Sequence, residues 1–340
     1  MKALKYLLFI LLFLFIASAI YVGVQPNTFE VSRSKTIKAP VTVVFNEVSN
    51  LEHWKDWSSW IQSDPEIQLT MGEVTKGLNA SYSWVNKDGE GKMTTTAVEK
   101  NVSLDQEMIF GDFPPSKIHW DFSDDKQGGT NVTWSINGND LPFTFKAILA
   151  ISGGAEKNIG PEYERSLENL DQLILKSMSQ FNIEIKGITT YGGGYYMYKT
   201  TSAASDNISL KMGQQFGAVM GYMGQNGVAP IGMPLTVYHT MDMENGNVIM
   251  SNGLPVQNKI ETSADSEVLC GFIPNTKAVM TVLHGNYTNL SQAWAETLAY
   301  IKTQNIVTAD IDPFEIYTTD PALVPNPANW ETVIYVPIKD

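Results

Sequence analysis

The sequence predicts an α+β protein in three parts: an N-terminal transmembrane helix, a helix-grip domain, and a domain in which a strand-helix-strand-strand order occurs twice over one antiparallel sheet. Three observations lead there. Residues 6–24 hold no charged side chain. Residues 26–178 pass from a strand through a short helix and a series of short strands to one long amphipathic helix. Residues 182–340 repeat one order of elements, and at 340 residues the chain exceeds what one core usually organises. The expected domains are therefore 1–25 (anchor), 26–178 and 182–340.

Composition narrows function before any motif does. With 43% apolar and 17% charged residues the chain is ordinary for a folded protein. The formal charge of -13 is spread along it: fourteen basic against twenty-two acidic side chains in 26–178, and seven against fourteen in 182–340. No basic stripe offers itself to phosphates, so no nucleic acid partner is expected, and neutral or cationic ligands suit the balance. Cys270 is the single cysteine, which excludes an intramolecular disulfide and a thiolate cluster. His53, His119, His239 and His284 form no i, i+4 pair, so neither a metal site nor a cofactor is expected.

At ~1.5 Å per residue the run 6–24 reaches nearly the ~30 Å hydrocarbon thickness. Lys2 and Lys5 precede it and no charge follows before Glu30. This asymmetry predicts a cytoplasmic N-terminus and extracytoplasmic domains, periplasmic in a Gram-negative cell. Ala17-Ser18-Ala19 also has the small-x-small form of a signal peptidase site, and cleavage after Ala19 would give a secreted form. Continuation through Ile20-Tyr21-Val22-Gly23-Val24, with Tyr21 suited to the interface, favours an uncleaved anchor.

Alternation predicts a strand at 29–37, stopped by Ala39-Pro40, and a short helix at 41–48. Tryptophans follow at every third position, Trp54, Trp57 and Trp60. Strands are expected at 67–71, 80–85, 92–99, 106–110, 117–122 and 131–136, separated by turn residues such as Lys87-Asp88-Gly89. A helix over 161–178 carries Leu167, Leu170, Leu173, Ile174 and Leu175 as its apolar stripe. Arg33-Ser34-Lys35-Thr36-Ile37-Lys38-Ala39-Pro40 leading into Val44-Phe45-Asn46, then Trp54, Trp57-Ser58 and Trp60, resembles the opening of a START-like, polyketide-cyclase-like (SRPBCC) domain over about 29–178. The resemblance implies a hydrophobic cavity between sheet and long helix, fitted to lipids or other greasy molecules. Trp54, Trp57, Trp60, Trp84, Trp120 and Trp134 are read first as packing residues.

In the second half, strands at 183–189 and 194–200 flank Tyr191-Gly192-Gly193-Gly194, a helix covers 208–223 with Phe216, Val219, Met220 and Met223 on one side, and strands follow at 234–239 and 247–250. A related order recurs as strand 278–284, helix 290–304 and strands 314–319 and 332–338. The two copies should sit side by side, helices on one face of a shared sheet.

The stretch Asp312-Pro313-Phe314-Glu315-Ile316-Tyr317-Thr318 places one carboxylate in a strand-like run. Alternation puts Phe314 and Ile316 on one face, Glu315 and Tyr317 on the other. Turned inward, Glu315 needs a cation, donors or a proton; turned outward, it is a solvated strand residue. Phe181-Asn182-Ile183, the segment 282–290, Ala293-Trp294, Phe314-Glu315-Ile316-Tyr317 and the segment 331–338 resemble a GyrI-like effector-binding domain, the type found in gyrase-inhibitor proteins and multidrug-sensing regulators. The resemblance implies a ligand cleft between the repeats. It gives Glu315 the role of meeting lipophilic cations, with Tyr317 and Tyr335 as extensions. Tyr287, Trp294 and Tyr196 are candidate cleft rings, each adding cation–π attraction of ~0.5–2 kcal/mol. Along their strand Tyr196 and Tyr198 face opposite Tyr195.

Those regulators carry a helix-turn-helix segment, and none precedes residue 182, so transcriptional control is not expected. The expected function is a non-catalytic, membrane-anchored binder of lipophilic, cationic small molecules, with a second hydrophobic cavity in the first domain. Two other readings stay open. GyrI-like proteins include hydrolases of strained cyclopropane toxins, for which Glu315 would serve as base; no Gly-x-Ser-x-Gly elbow is present and Cys270 has no histidine nearby in sequence. The chain could also be a scaffold, whose protein partners the sequence does not identify.

Overall fold

The computed structural model describes residues 2–204, 207–242 and 246–339, an α+β arrangement with two antiparallel sheets and an N-terminal apolar helix. Two compact units, Met1–Ser177 and Met178–Asp340, are taken in turn.

The first opens with α1 (Lys2–Gly23), whose stretch Leu4–Gly23 is long and apolar enough to cross a membrane, a property that signal sequences share. Next come β1 (Phe29–Ile37), α2 (Val41–Ser49) and the short turns α3 (Trp54–Trp57) and α4 (Ser59–Gln62). The strands β2 (Gln68–Met71), β3 (Ser81–Asn86), β4 (Gly89–Glu99), β5 (Ser103–Phe110), β6 (Ser116–Asp124) and β7 (Thr130–Gly138) follow, then α5 (Phe143–Ser152) and α6 (Ala155–Met178). The sheet runs β1-β7-β6-β5-β4-β3-β2, so each strand from β2 to β7 pairs with its sequence neighbour and β1 closes on β7. Two elements differ from expectation. α5 occupies a segment where no helix was expected, and α6 begins before Pro161, which lies inside it at the cost of one backbone hydrogen bond.

Charge and ring packing hold this unit together. Arg33 pairs with Glu156 and Glu164, and Lys35 with Glu168 and Asp171, so one strand is tied to α6 along several turns. Gly160 leaves the space that the Arg33 guanidinium occupies. Inside, Trp120 stacks on Trp134 at 4.3 Å and Trp134 on Tyr163 of α6 at 3.6 Å between centroids, while Trp57 meets Trp120 and Trp134 edge-on. Such pairs each contribute about 0.5–1.5 kcal/mol beyond burial. The chain's own rings thus line the space between sheet and α6, and the buried indole N–H groups of Trp57, Trp84 and Trp134 have no hydrogen-bond acceptor.

The second unit contains β8 (Asn182–Tyr191), β9 (Gly194–Ala204), α7 (Ile208–Gln225), β10 (Leu235–Asp242), β11 (Asn247–Val256), β12 (Leu269–Ile273), β13 (Thr276–His284), α8 (Leu290–Thr303), β14 (Phe314–Tyr317) and β15 (Glu331–Pro337). Its sheet order is β12-β9-β11-β10-β14-β15-β13-β8. Read outward from the centre, β10-β11-β9 mirrors β14-β15-β13, and α7 follows β9 as α8 follows β13. This is the duplicated unit that the sequence predicts. Both helices cover one face: Val219 and Met223 of α7 pack on Met197, Leu254 and Val256, while Ala293, Trp294 and Ile301 of α8 pack on Met250, Leu283, Ile334 and Val336. The opposite face gathers Tyr196, Leu235, Val237, Ile273 and Phe314.

β11 extends well past the expected 247–250, through Gly253 and Pro255. Gly253 does not break it: a side chain there would meet the Met197 carbonyl and the Tyr196 and Tyr198 side chains, so the glycine admits its neighbours. A different constraint acts at the β8–β9 turn. Gly193 has φ +75°, and a Cβ would lie 2.5 Å from the Ile273 carbonyl oxygen and 2.7 Å from the Asn275 nitrogen. Gly193→Ala should lower the unfolding free energy by about 2 kcal/mol or more in denaturant titration. Gly192→Ala next to it, with nothing within 4 Å, should change it far less.

Candidate functional site

The centre of the eight-stranded sheet is the β10–β14 pair, in register Leu235 to Ile316, Thr236 to Glu315 and Val237 to Phe314. Because directly opposed residues share a face, Glu315 projects with Thr236 toward the helices, and Tyr238 and Tyr317 stand two residues away on the same side. Glu315 is 1% exposed. Its Oε1 accepts the Trp294 indole N–H at 2.5 Å; its Oε2 accepts the Tyr317 hydroxyl at 2.5 Å and the Tyr238 hydroxyl at 3.1 Å. All three donors are neutral. Among the described residues no lysine, arginine or histidine contributes to the electrostatics of this carboxylate.

Burial pushes the Glu315 carboxyl above the ordinary glutamate range, and hydrogen bonds from Tyr317, Trp294 and Tyr238 pull it partly back. The Tyr238 and Tyr317 phenols are pushed well up, first by burial and then by the Glu315 charge, so both keep their protons and remain donors. The polar run continues: Tyr317 Oη lies 3.1 Å from Thr236 Oγ1, which lies 2.7 Å from Asn252 Oδ1. In this orientation of the amide the buried Asn252 Nδ2 has no acceptor. Rotating that amide, whose O and N are interchangeable in shape, lets Asn252 donate to Thr236, Thr236 to Tyr317, and Tyr317 to ionised Glu315. With Glu315 protonated the same line runs in reverse. One hydrogen-bonded row therefore serves both charge states.

Aromatic rings lead outward from the carboxylate. Phe216 of α7 and Tyr287 meet the Tyr317 ring edge-on at 6.0 and 5.5 Å, and Tyr287 lies 4.8 Å from Trp330. Phe216, Tyr287 and Trp330 are partly buried. Burial raises the Tyr287 phenol, with Glu315 and Asp320 adding to the shift.

Of the residues singled out from sequence, the structure brings together Glu315, Tyr317, Trp294 and Tyr287. It does not bring Tyr335 or Tyr196. Tyr335 is opposed to Phe314 and stacks on it at 5.1 Å, on the far face with Tyr191. Tyr196 packs beside Leu235, Val237 and Phe314 on that same face, next to Tyr198 at 5.2 Å, while Tyr195 points the other way. Sequence reading missed Tyr238, Phe216, Trp330 and the Thr236–Asn252 row. The first was visible as a residue of an expected strand, but its nearness to Glu315 depends on which strands pair.

A second constellation has the order of a catalytic relay. His239 Nδ1 lies 2.6 Å from Asp312 Oδ2, and Nε2 lies 2.7 Å from Ser251 Oγ. Ser251, however, is fully buried in mid-strand, opposed to Val237 on the face away from Glu315, and its hydroxyl is shared with Thr200 at 2.8 Å. No carbonyl carbon can reach it, so the row serves as cross-strand hydrogen bonding. The open depression lined by Ser202, Asn207, Thr240 and Asp242 lies four to six residues along β10 from Thr236, roughly 13–20 Å away, and presents no aromatic ring.

The state of Glu315 has a measurable consequence for stability. A carboxyl raised in the folded protein contributes stability that is full below its unfolded value and is lost as pH rises through its folded value. Glu315→Gln removes that loss. In denaturant titrations from pH 4 to 8, the variant should gain on the wild type as pH rises, and the two should converge at the acid end. A difference independent of pH would show that Glu315 does not titrate in a buried environment.

Residues 28–174 match the family model described as polyketide cyclase / dehydrase and lipid transport, and residues 224–339 match that of the GyrI-like small molecule binding domain. No protein of curated function matches the chain. Among solved structures, the chain is similar to the C-terminal domain of EcmrR (14% identity, TM-score 0.39, covering 47% of this chain and 98% of that one). It is also similar to EcmrR in its DNA complex (15%, 0.39, 58% and 72%) and to SA2116 from Staphylococcus aureus, a protein of unknown function (12%, 0.36, 45% and 97%). In chain order, then, this protein carries a match to a polyketide-cyclase and lipid-transport model followed by a match to a GyrI-like small-molecule-binding model.

Proposed function

We propose that this protein is a membrane-anchored, non-catalytic binder of lipophilic cations, with residues 1–25 as anchor, 26–178 and 182–340 as extracytoplasmic domains, and the ligand held at Glu315. One observation carries the reading: a carboxylate buried on the helix-covered face of the sheet is served, among the described residues, by three neutral donors and no cation. Removing a carboxylate from water costs several kcal/mol, and neutral donors offset only part of that. An organic cation reaching the carboxylate would offset more, and Tyr287, Phe216 and Trp330 supply ring faces and edges along the way. The acidic balance of residues 182–340 favours the same ligand charge. Small-molecule handling is what both matching models describe, at a coarser level. The Trp134–Tyr163 stack closes one part of the first unit, and the ligand is assigned to the second, where Glu315 stands.

Tetraphenylphosphonium and tetraphenylborate share size and greasiness and differ in sign of charge. The full chain in detergent should bind the cation and not the anion in equilibrium dialysis. Glu315→Gln should weaken cation binding about tenfold or more, roughly 1.4 kcal/mol. Tyr335→Phe, on the far face, should leave it unchanged. Since the cation favours the ionised carboxylate, affinity should rise with pH through the raised Glu315 titration and stay flat in the variant. Equal binding of the two ions, or undiminished binding by Glu315→Gln, would contradict the reading.

A further inference from the structure

α5 presents a surface that water does not explain. At about 100° per residue, Phe143, Thr144, Ala147, Ile148, Ala150 and Ile151 share one arc of roughly 160°. Phe143 is 52% exposed, Ile148 53% and Ile151 88%, and the arc holds no charge. The opposite side is built into the unit: Phe145 packs between Phe29 at 6.0 Å and Phe113 at 4.9 Å. The helix is ended by Gly153 at φ 93°, which donates to the Leu149 carbonyl. An uncharged, bulky, exposed arc of this kind is a docking surface in search of an apolar partner.

The helix's one charged residue shows where that surface lies. Lys146 turns inward and is 8% exposed, with its ammonium donating to the Gly23 carbonyl at 2.9 Å, the Gln25 carbonyl at 3.0 Å and Asn27 Oδ1 at 3.2 Å. Three donors meet three acceptors, and the positive charge stands at the C-terminal end of α1, where a helix dipole is negative. The Leu141 amide adds a bond to the Asn27 carbonyl, fixing the start of the segment against the same loop. α5 is therefore clamped to the point where the apolar α1 ends.

We infer that α5 lies in the membrane interface, with Phe143, Ile148 and Ile151 seated among the lipid acyl chains beside the exit of α1. The partner is the bilayer itself, because the helix that carries the arc is fastened through Lys146 to the end of a bilayer-length helix, and the arc itself carries no charged group. This inference rests on reading α1 as a membrane helix. It goes beyond that reading by giving the first unit a second, in-plane contact that sets its orientation on the lipid surface. Since the arc is uncharged, seating should not depend on anionic lipid.

The test uses the full chain, with Cys270→Ser as background, reconstituted in phosphatidylcholine vesicles. An environment-sensitive fluorophore is placed by Leu14→Cys, Ile148→Cys, Ile151→Cys or the exposed Glu99→Cys. The label at 151 should be quenched by lipids with a nitroxide near the headgroup at least threefold more than the label at 99, and shielded from aqueous iodide. The label at 148 should repeat this, the label at 14 should respond to a nitroxide deep in the acyl chain, and added phosphatidylglycerol should change nothing. If position 14 is quenched but 148 and 151 are open to iodide, the inference fails while the anchor stands. If 151 is shielded from iodide yet untouched by lipid nitroxides, a second copy covers the arc and the inference also fails. If none of positions 14, 148 and 151 senses lipid, both readings fall; a requirement for anionic lipid would overturn the uncharged mode of seating.

Discussion

The second unit is organised around one electrostatic constraint: a carboxylate in the middle of an eight-stranded sheet, out of water and, among the described residues, without a counter-ion. An ionised carboxylate there is tolerable only if donors reach it from several directions. The duplication arranges this. The central strands β10 and β14 contribute Tyr238 and Tyr317, α8 lowers Trp294 onto one oxygen, and α7 brings Phe216 against the ring of Tyr317. The two repeats are alike in topology and unlike in chemistry. Thr236 stands where its strand faces Glu315, so the acid occurs in one copy and a hydrogen-bonding hydroxyl in the other. A site formed at the seam of a duplicated sheet can have this polarity without disturbing the scaffold.

The first unit solves a different packing problem. Its long helix is held from outside by Arg33 and Lys35 and from inside by Tyr163 against Trp134, so charge pairs fix the register while ring contact supplies the cohesion. Its entrance is also fastened: Lys146 gathers the carbonyls at the end of α1. Lys146 is used on backbone carbonyls, which leaves the outer arc of α5 without charge, and in the proposed arrangement this contrast between the two sides of one short helix would seat the unit on lipid. Lipophilic cations collect at membrane surfaces, so a tethered binder would meet them where they are concentrated.

Much of this was legible in the residues, and the failures have physical causes. Alternation in 29–37 located β1, and the order of elements revealed the duplication and its helices on one face. Alternation also put Glu315 and Tyr317 on one side of their strand. It could not place Tyr335 or Tyr196, because which face a residue takes relative to Glu315 depends on the register between strands far apart in sequence, and in both cases the pairing turns the ring to the far side. Tyr238 escaped notice for the same reason. α5 was missed because ten largely apolar residues after a proline show no amphipathic period; its two sides differ in what touches them and scarcely in composition. β11 looked shorter than it is because glycine and proline normally end strands, and here Gly253 makes room for its neighbours instead.

The central claim is that Glu315 is held in a charge-poor interior until a cation arrives, and the carboxyl carbon reports this directly. Protein labelled with carbon-13 at glutamate Cδ, its resonance assigned by Glu315→Gln, can be titrated by NMR with and without tetraphenylphosphonium. The account predicts a midpoint above the ordinary glutamate range in the free protein and a downward move when the cation binds. A midpoint in the ordinary range, or one that the cation leaves in place, would contradict it.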